Sequence, residues 1–238
     1  MNPHRLTLHL IPICLVLLTI SVAQAQKQKA PPGGRIAVVV DERLSALRAS
    51  PELTARLLRR IGRGRLVAIR AVKTSRDGIV FCFVNVNRRT RGWIQREAIA
   101  SASQSGDDQR LLALIKGSSD FDRIVRARIF LNYFPRSQLC PEVLLLLGDA
   151  AEQQSDKLSR EAARRIVDNI RAPDFSYFLN YTGLDRYNRH GVTFIFDRKS
   201  KRFHYDGAAW HEILRRFPRA PQAIEARKRS DKLATSRR

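Results

Sequence analysis

Cysteine, histidine and arginine are the residue types in this chain best able to carry chemistry, and their spacing separates three uses. A cysteine hydrolase needs a thiolate with an imidazole beside it. Cys140 stands at a helix start, whose positive end lowers a thiol pKa, and His190, His204 and His211 are the candidate bases. Nothing in their spacing brings any of the three to Cys140. His204 and His211 are also the nearest thing to a metal pair. A helix break between them spoils the i, i+4 geometry of metalloproteases, and Cys82 and Cys140 alone fit no four-ligand zinc pattern. The sequence holds no G-x-S-x-G elbow, no Walker loop and no paired-carboxylate motif. No metal or cofactor is therefore expected. The third use is recognition. Arg89 and Arg91 bracket Thr90, and an arginine fork there can grip carboxylates bidentately, with Trp93 close by.

The first 25 residues are set aside before any fold argument. Arg5 is the one cation before an apolar run, Leu10 to Val22, and Ala23-Gln24-Ala25 forms an A-x-A site. That order is the layout of a secretory signal peptide, with cleavage between Ala25 and Gln26. The rival is a retained anchor, since Leu6 to Ala25 is about long enough to cross a bilayer. Pro12 and His9 interrupt it, so cleavage and a periplasmic or secreted location are expected. No later segment is apolar for long enough to span a membrane.

The formal net charge is +22, and it is unevenly spread. Residues 35–97 hold 15 Lys/Arg against 5 Asp/Glu, residues 107–174 hold 11 of each, and residues 175–238 hold 15 against 6. Two basic ends thus flank a neutral middle. Such a field favours anionic surfaces or polyanions without defining a fold. An arginine-rich composition produces the same sum with no partner at all.

Residues 26–34 (QKQKAPPGG) read as a linker. From Arg35 the pattern becomes short strand signals between turns. Ile36–Val40 is a β-branched run, Leu44–Pro51 an irregular excursion, and Leu57–Ile61 leads into Gly62-Arg63-Gly64. Leu66–Ile69 is another strand, Arg76-Asp77-Gly78 a second turn, and Ile79–Val86 a further strand before Gly92-Trp93-Ile94. Close strands with glycine turns predict a small antiparallel barrel over residues 35–100. Alternation puts Val80, Cys82, Val84 and Val86 on one face, read as core. Phe81 and Phe83 then lie outside, where the next domain or a partner must cover them. They are the expected interdomain contact.

The segments Leu44–Pro51, Leu57-x-x-x-Ile61-x-x-Gly64-x-x-Val67 and Thr90-Arg91-Gly92-Trp93-Ile94 resemble a bacterial SH3-like domain over residues 36–100. Phe81-Cys82 stands where an aromatic pair is usual, and the tip between Arg76 and Ile79 is short. Some exported cell-wall peptidases pair such domains with a catalytic cysteine. Trp93 commonly closes the barrel core in this pattern, so it is both a candidate contact and a candidate core residue.

Residues 101–106 (SASQSG) read as a second linker, and residues 107–235 as helical. One helix is expected from Pro141 through the all-round apolar run Val143–Leu147. Another carries Leu158, Ala162, Ala163, Ile166, Val167 and Ile170 at helical spacing. Two nine-residue lines, Arg128–Arg136 and His211–Arg219, align without gaps and share Leu, Phe, Pro and Arg at equivalent places. With Pro173 between them, and with Leu144-x-x-Leu147-Gly148-x-x-Ala151, they resemble tetratricopeptide-like (TPR-like) helical hairpins, as in bacterial envelope-assembly proteins that bind other proteins. A β-hairpin at 192–205 interrupts them. Its Phe194, Phe196 and Phe203 either pack on the helices or form an aromatic platform beside Arg198, Lys199 and Lys201 for nucleic acid or glycan.

The expected architecture is α+β in two domains, an SH3-like antiparallel barrel and then a TPR-like helical domain. The leading expectation is a non-catalytic exported envelope scaffold. Its barrel would bind cell-wall peptide or protein, and its helices would dock a protein partner. A Cys140 hydrolase and a polyanion or nucleic-acid binder are the alternatives. Export makes nucleic acid the scarcest partner.

Overall fold

The two-residue alternation of the first half becomes sheet, and the three-to-four spacing of the second half becomes helix. A computed structural model describes residue 31, residues 33–168 and residues 183–236. The signal segment, the Ala25–Gln26 cleavage pair and Pro173 lie outside the described residues. The described chain is α+β, with a seven-stranded antiparallel sheet, a separate two-stranded hairpin and six α-helices.

The sheet strands are β1 (Arg35–Val39), β2 (Ala46–Arg48), β3 (Leu57–Arg60), β4 (Leu66–Thr74), β5 (Val80–Asn85), β6 (Arg91–Gln95) and β7 (Ile99–Ala100). Their order is β3-β2-β6-β5-β4-β1-β7. Alternation works as expected on β5, because Cys82 and Val84 join Val39, Leu47, Val67, Ile69, Ile94 and Ile99 in one buried cluster. Inside the Leu44–Pro51 excursion lies a true strand, β2, which bridges β3 and β6. Gly92 makes that bridge possible. A Cβ there would stand 2.7 Å from the Arg48 carbonyl oxygen and 2.9 Å from Leu47 Cγ, so only glycine lets β2 lie this close.

The helices are α1 (Asp107–Lys116), α2 (Asp120–Tyr133), α3 (Cys140–Asp168), α4 (Leu184–Asn188), α5 (Ala208–Arg216) and α6 (Gln222–Ser236). The stretches around Val143–Leu147 and from Leu158 are one helix, not two, because α3 runs unbroken for 29 residues. One side of its polar middle is buried. Gln154, Ser155 and Ser159 are buried, and Ser159 Oγ accepts the Phe203 N–H at 2.9 Å. Phe203 belongs to the hairpin β8 (Phe194–Asp197) and β9 (Arg202–Tyr205), which lies inside the expected 192–205 span. Phe194 and Phe203 are buried in the helical cluster and Phe196 packs against it, so the hairpin's aromatic rings serve packing.

The two aligned nine-residue lines end their helices identically. Phe134 and Phe217 leave helical geometry at φ/ψ of −122/47° and −132/49°, each with its N–H bonded to the carbonyl four residues back. Pro135 and Pro218 follow, since the residue before a proline is pushed out of the α region. Each turn then leads into the next helix, α3 or α6.

Sheet and helices share a core. The outward side chains Val38, Val40, Leu66 and Ala100 belong to the same buried cluster as Leu111, Ile124, Phe130 and Val143. Residues 101–106 are correspondingly held at both ends. Ser101 donates its N–H to Asp107 Oδ2 at 2.7 Å and its hydroxyl to the Ile36 carbonyl at 2.6 Å, and Arg96 grips Asp107 Oδ1 at 2.6 Å. A further clasp joins the loop after β1 to α2. Arg126, 5% exposed, donates to the Val40 carbonyl, to Asp41 Oδ2 at 3.3 Å and to Ser118 Oγ.

Candidate functional site

The turn after β5 is built by its own side chain. Asn87 Oδ1 accepts the N–H groups of Arg89 at 2.8 Å and Thr90 at 2.7 Å, while Val86 N–H bonds the Thr90 carbonyl at 2.9 Å. An asparagine cap of this kind fixes a turn without help from tertiary packing. The turn therefore presents Arg88 and Arg89 as exposed cations, and Arg91 continues the row at the start of β6. Among the described residues, none of these three guanidinium groups has a hydrogen bond or ion pair. All three donor sets therefore face solvent.

Alternation on β6 sorts its side chains. Gly92 and Ile94 are buried, and Arg91, Trp93 and Gln95 point the other way. Trp93 is therefore not core. It lies half-buried on the outer face, opposite Phe83 in register, with ring centroids 5.3 Å apart at 63°. Arg48 is its partner on β2, and Arg48 Nη1 is tied to the Ala55 carbonyl at 2.8 Å. The structure thus brings Arg91 and Trp93 to one face, with Arg89 on the adjoining turn. A guanidinium beside an edge-stacked aromatic pair offers charge and apolar area to the same ligand.

The apolar seat for the helices is not the expected pair. Phe83 packs on Trp93, and Phe81, fully buried opposite Gln95, belongs to neither buried cluster. The seam runs instead through the outward side of β1 and its neighbours. One signal in the sequence points there. Ile36–Val40 is apolar on both faces, which marks a strand covered from both sides.

Cys140 is buried in the helical cluster. It is 1% exposed and its S–H donates to the Phe134 carbonyl at 3.3 Å. Burial pushes its thiol up, outweighing the charge of Arg216 and the hydrogen bond from the Ser137 region. None of the candidate bases is bonded to it. His190 meets the Phe121 ring edge-on, His211 Nε2 pairs with Ser230 Oγ at 3.1 Å, and His204 Nε2 is a buried atom without a partner. Cys82 is likewise buried with its thiol raised, and both cysteines are free. In the native protein, Cys140 should label with a maleimide at least about tenfold more slowly than free cysteine at neutral pH. Denaturant should remove the difference. Fast native labelling would favour the Cys140 hydrolase over a structural role.

Among the described residues no group of three or more His, Cys, Asp or Glu is placed to hold a metal, and no helix is long and apolar enough to cross a membrane. The chain matches no protein-family model, and neither curated proteins nor solved structures give a match to it.

Proposed function

We propose that the chain is an exported, non-catalytic binding protein of the cell envelope. In this reading residues 35–100 form an SH3-like barrel that binds a cell-wall peptide or a protein segment. The helices of residues 107–235 form a TPR-like region that docks a protein partner. Export rests on the charge, apolar run and A-x-A order of residues 1–25. The helical reading is supported by the matched Phe-Pro turns that end α2 and α5. The observation that carries the binding reading is the group formed by Arg89, Arg91 and Trp93, two unpaired guanidinium groups beside an outward tryptophan.

Peptide ligands of the wall carry free carboxylates, which an arginine fork grips through two parallel hydrogen bonds. Hydrogen bonds to charged groups contribute about 1.5–3 kcal/mol each, so losing both arginines should weaken binding by at least about tenfold. The check is retention of the full chain on isolated cell-wall sacculi, wild type against Arg89→Ala/Arg91→Ala. Both side chains are exposed, so the variant should fold normally. Unchanged retention would overturn the wall-binding form of the proposal.

A further inference from the structure

A second cationic feature lies at the same end of the sheet, where β3 ends, β4 begins and β5 ends. Arg59, Arg60, Arg63 and Arg65 line a groove of about 340 Å³ there, with Ile61, Val86 and Asn87 among its other walls. Arg63 is largely committed. Its Nη1 bonds Asp122 Oδ1 at 3.0 Å and its N–H bonds Glu42 Oε1 at 2.9 Å. Even so, its Nε is a buried donor with no partner. Arg59, Arg60 and Arg65 have no hydrogen bond or ion pair from their side chains among the described residues. No Asp or Glu lines the groove. Asn87 also carries the turn that displays Arg88 and Arg89, so the groove opens beside further unpaired cations.

Each guanidinium presents five donors in a planar fork and is the side chain suited to oxyanions. Three free forks and one orphaned N–H exceed what a single carboxylate, with two oxygens, can satisfy. The cations also continue out of the groove along the turn, which fits charges repeated along a chain. The groove holds no aromatic ring, so it lacks the stacking surface that single-stranded nucleic acid uses. We propose that this groove binds successive phosphate groups of a linear, base-free phosphate polymer. It goes beyond the peptide-binding reading and stands on different side chains, so either can fail alone.

The test uses the full chain and fluorescently labelled linear polyphosphate, read by anisotropy over a range of salt concentrations. The variant is Arg59→Gln/Arg60→Gln/Arg65→Gln, and the control is Arg56→Gln/Arg70→Gln/Arg76→Gln, three exposed arginines outside the groove. Binding to a flexible chain loses about 0.7 of log–log salt slope per phosphate contact, so the groove variant should lose about 2 units of slope. Its affinity should fall at least about thirtyfold, while the control changes little. Unfolding temperature serves as the folding check. Equal losses in both variants would mean a general basic field and overturn the groove. Polyglutamate of equal charge binding as tightly as polyphosphate would overturn the phosphate assignment, and so would unchanged affinity in the groove variant.

Discussion

Arg126→Met is expected to destabilise the protein by about 3 kcal/mol, because it removes one partner of a buried ion pair and leaves Asp41 with Arg43 alone. Arg126 and Asp41 have side chains only 6% and 8% exposed. Burial alone would push the Asp41 carboxyl up. The backbone N–H and guanidinium of Arg43, with the charge of Arg126, outweigh that and hold it below its ordinary range. Arg126 itself is drawn down, first by burial and then by the charge of Arg63. The substitution also removes the donors that reach the Val40 carbonyl and Ser118 Oγ. For a chain of this length the loss corresponds to roughly 6–12 °C in unfolding temperature. Asp41→Asn in the same chain should restore part of it, since the buried charge that has lost one of its two arginines is then gone, and a double-mutant cycle reads that coupling. The sign with pH follows from the lowered carboxyl. Its contribution is complete at neutral pH and is lost as pH falls through the folded-state value, below the ordinary carboxylate range. Arg43 supplies most of that lowering and Arg126 the smallest share, so the acid limb of stability should be only slightly flatter in Arg126→Met than in the parent. An unchanged unfolding temperature would mean that the clasp contributes nothing.

The second large effect is expected from adding one methyl group. Gly148 sits inside α3, where glycine costs about 1 kcal/mol relative to alanine, so something else must favour it. Trp210 of α5 is that reason. A Cβ at position 148 would stand 2.2 Å from Trp210 Nε1 and 2.7 Å from two further ring atoms. Trp210 is fully buried and also meets Tyr205 edge-on at 5.4 Å, so the ring has little freedom to retreat. Overpacking of this kind costs typically about 1–3 kcal/mol, occasionally more, against the alanine gain in helix propensity. Gly148→Ala should lose up to about 2 kcal/mol net. Trp210→Phe removes the indole edge that the new methyl meets. The indole N–H has no partner among the described residues, so that change breaks no hydrogen bond. The double variant should thus be more stable than Gly148→Ala alone. Simple additivity of the two single losses would refute the contact as the cause.

Local pattern carried much of this fold. The alternation placed Cys82, Val84 and Val86 on the core side correctly, though Val80 is only half-buried and Phe81 on the other face is buried too, and the break near Val192 located the hairpin. What escaped the pattern depends on distant partners. β2 is three residues long and owes its existence to β3 and β6 on either side. Trp93 faces outward because Gly92 and Ile94 occupy the inner positions, a choice fixed by the approach of Arg48. One side of the polar middle of α3 is buried because a hairpin some forty residues later covers it, with Ser159 meeting the Phe203 backbone. The candidate site divides in the same way. Arg89, Arg91 and Trp93 are neighbours in sequence and were legible together. Arg59, Arg60 and Arg65 meet Asn87 only where three strand ends converge, so no spacing rule reveals that groove.

The fastened stretch from Ser101 to Asp107 also determines how force passes through the molecule. Its backbone and side chains are bonded to the β1 carbonyl at Ile36 and to Arg96, and the apolar seam lies beneath it. A ligand held at the arginine end of the sheet and a partner held on the helices would therefore be joined by a stiff bracket. The separation and angle between the two ends are set by the fold, so whatever is held at each would be kept at a fixed spacing.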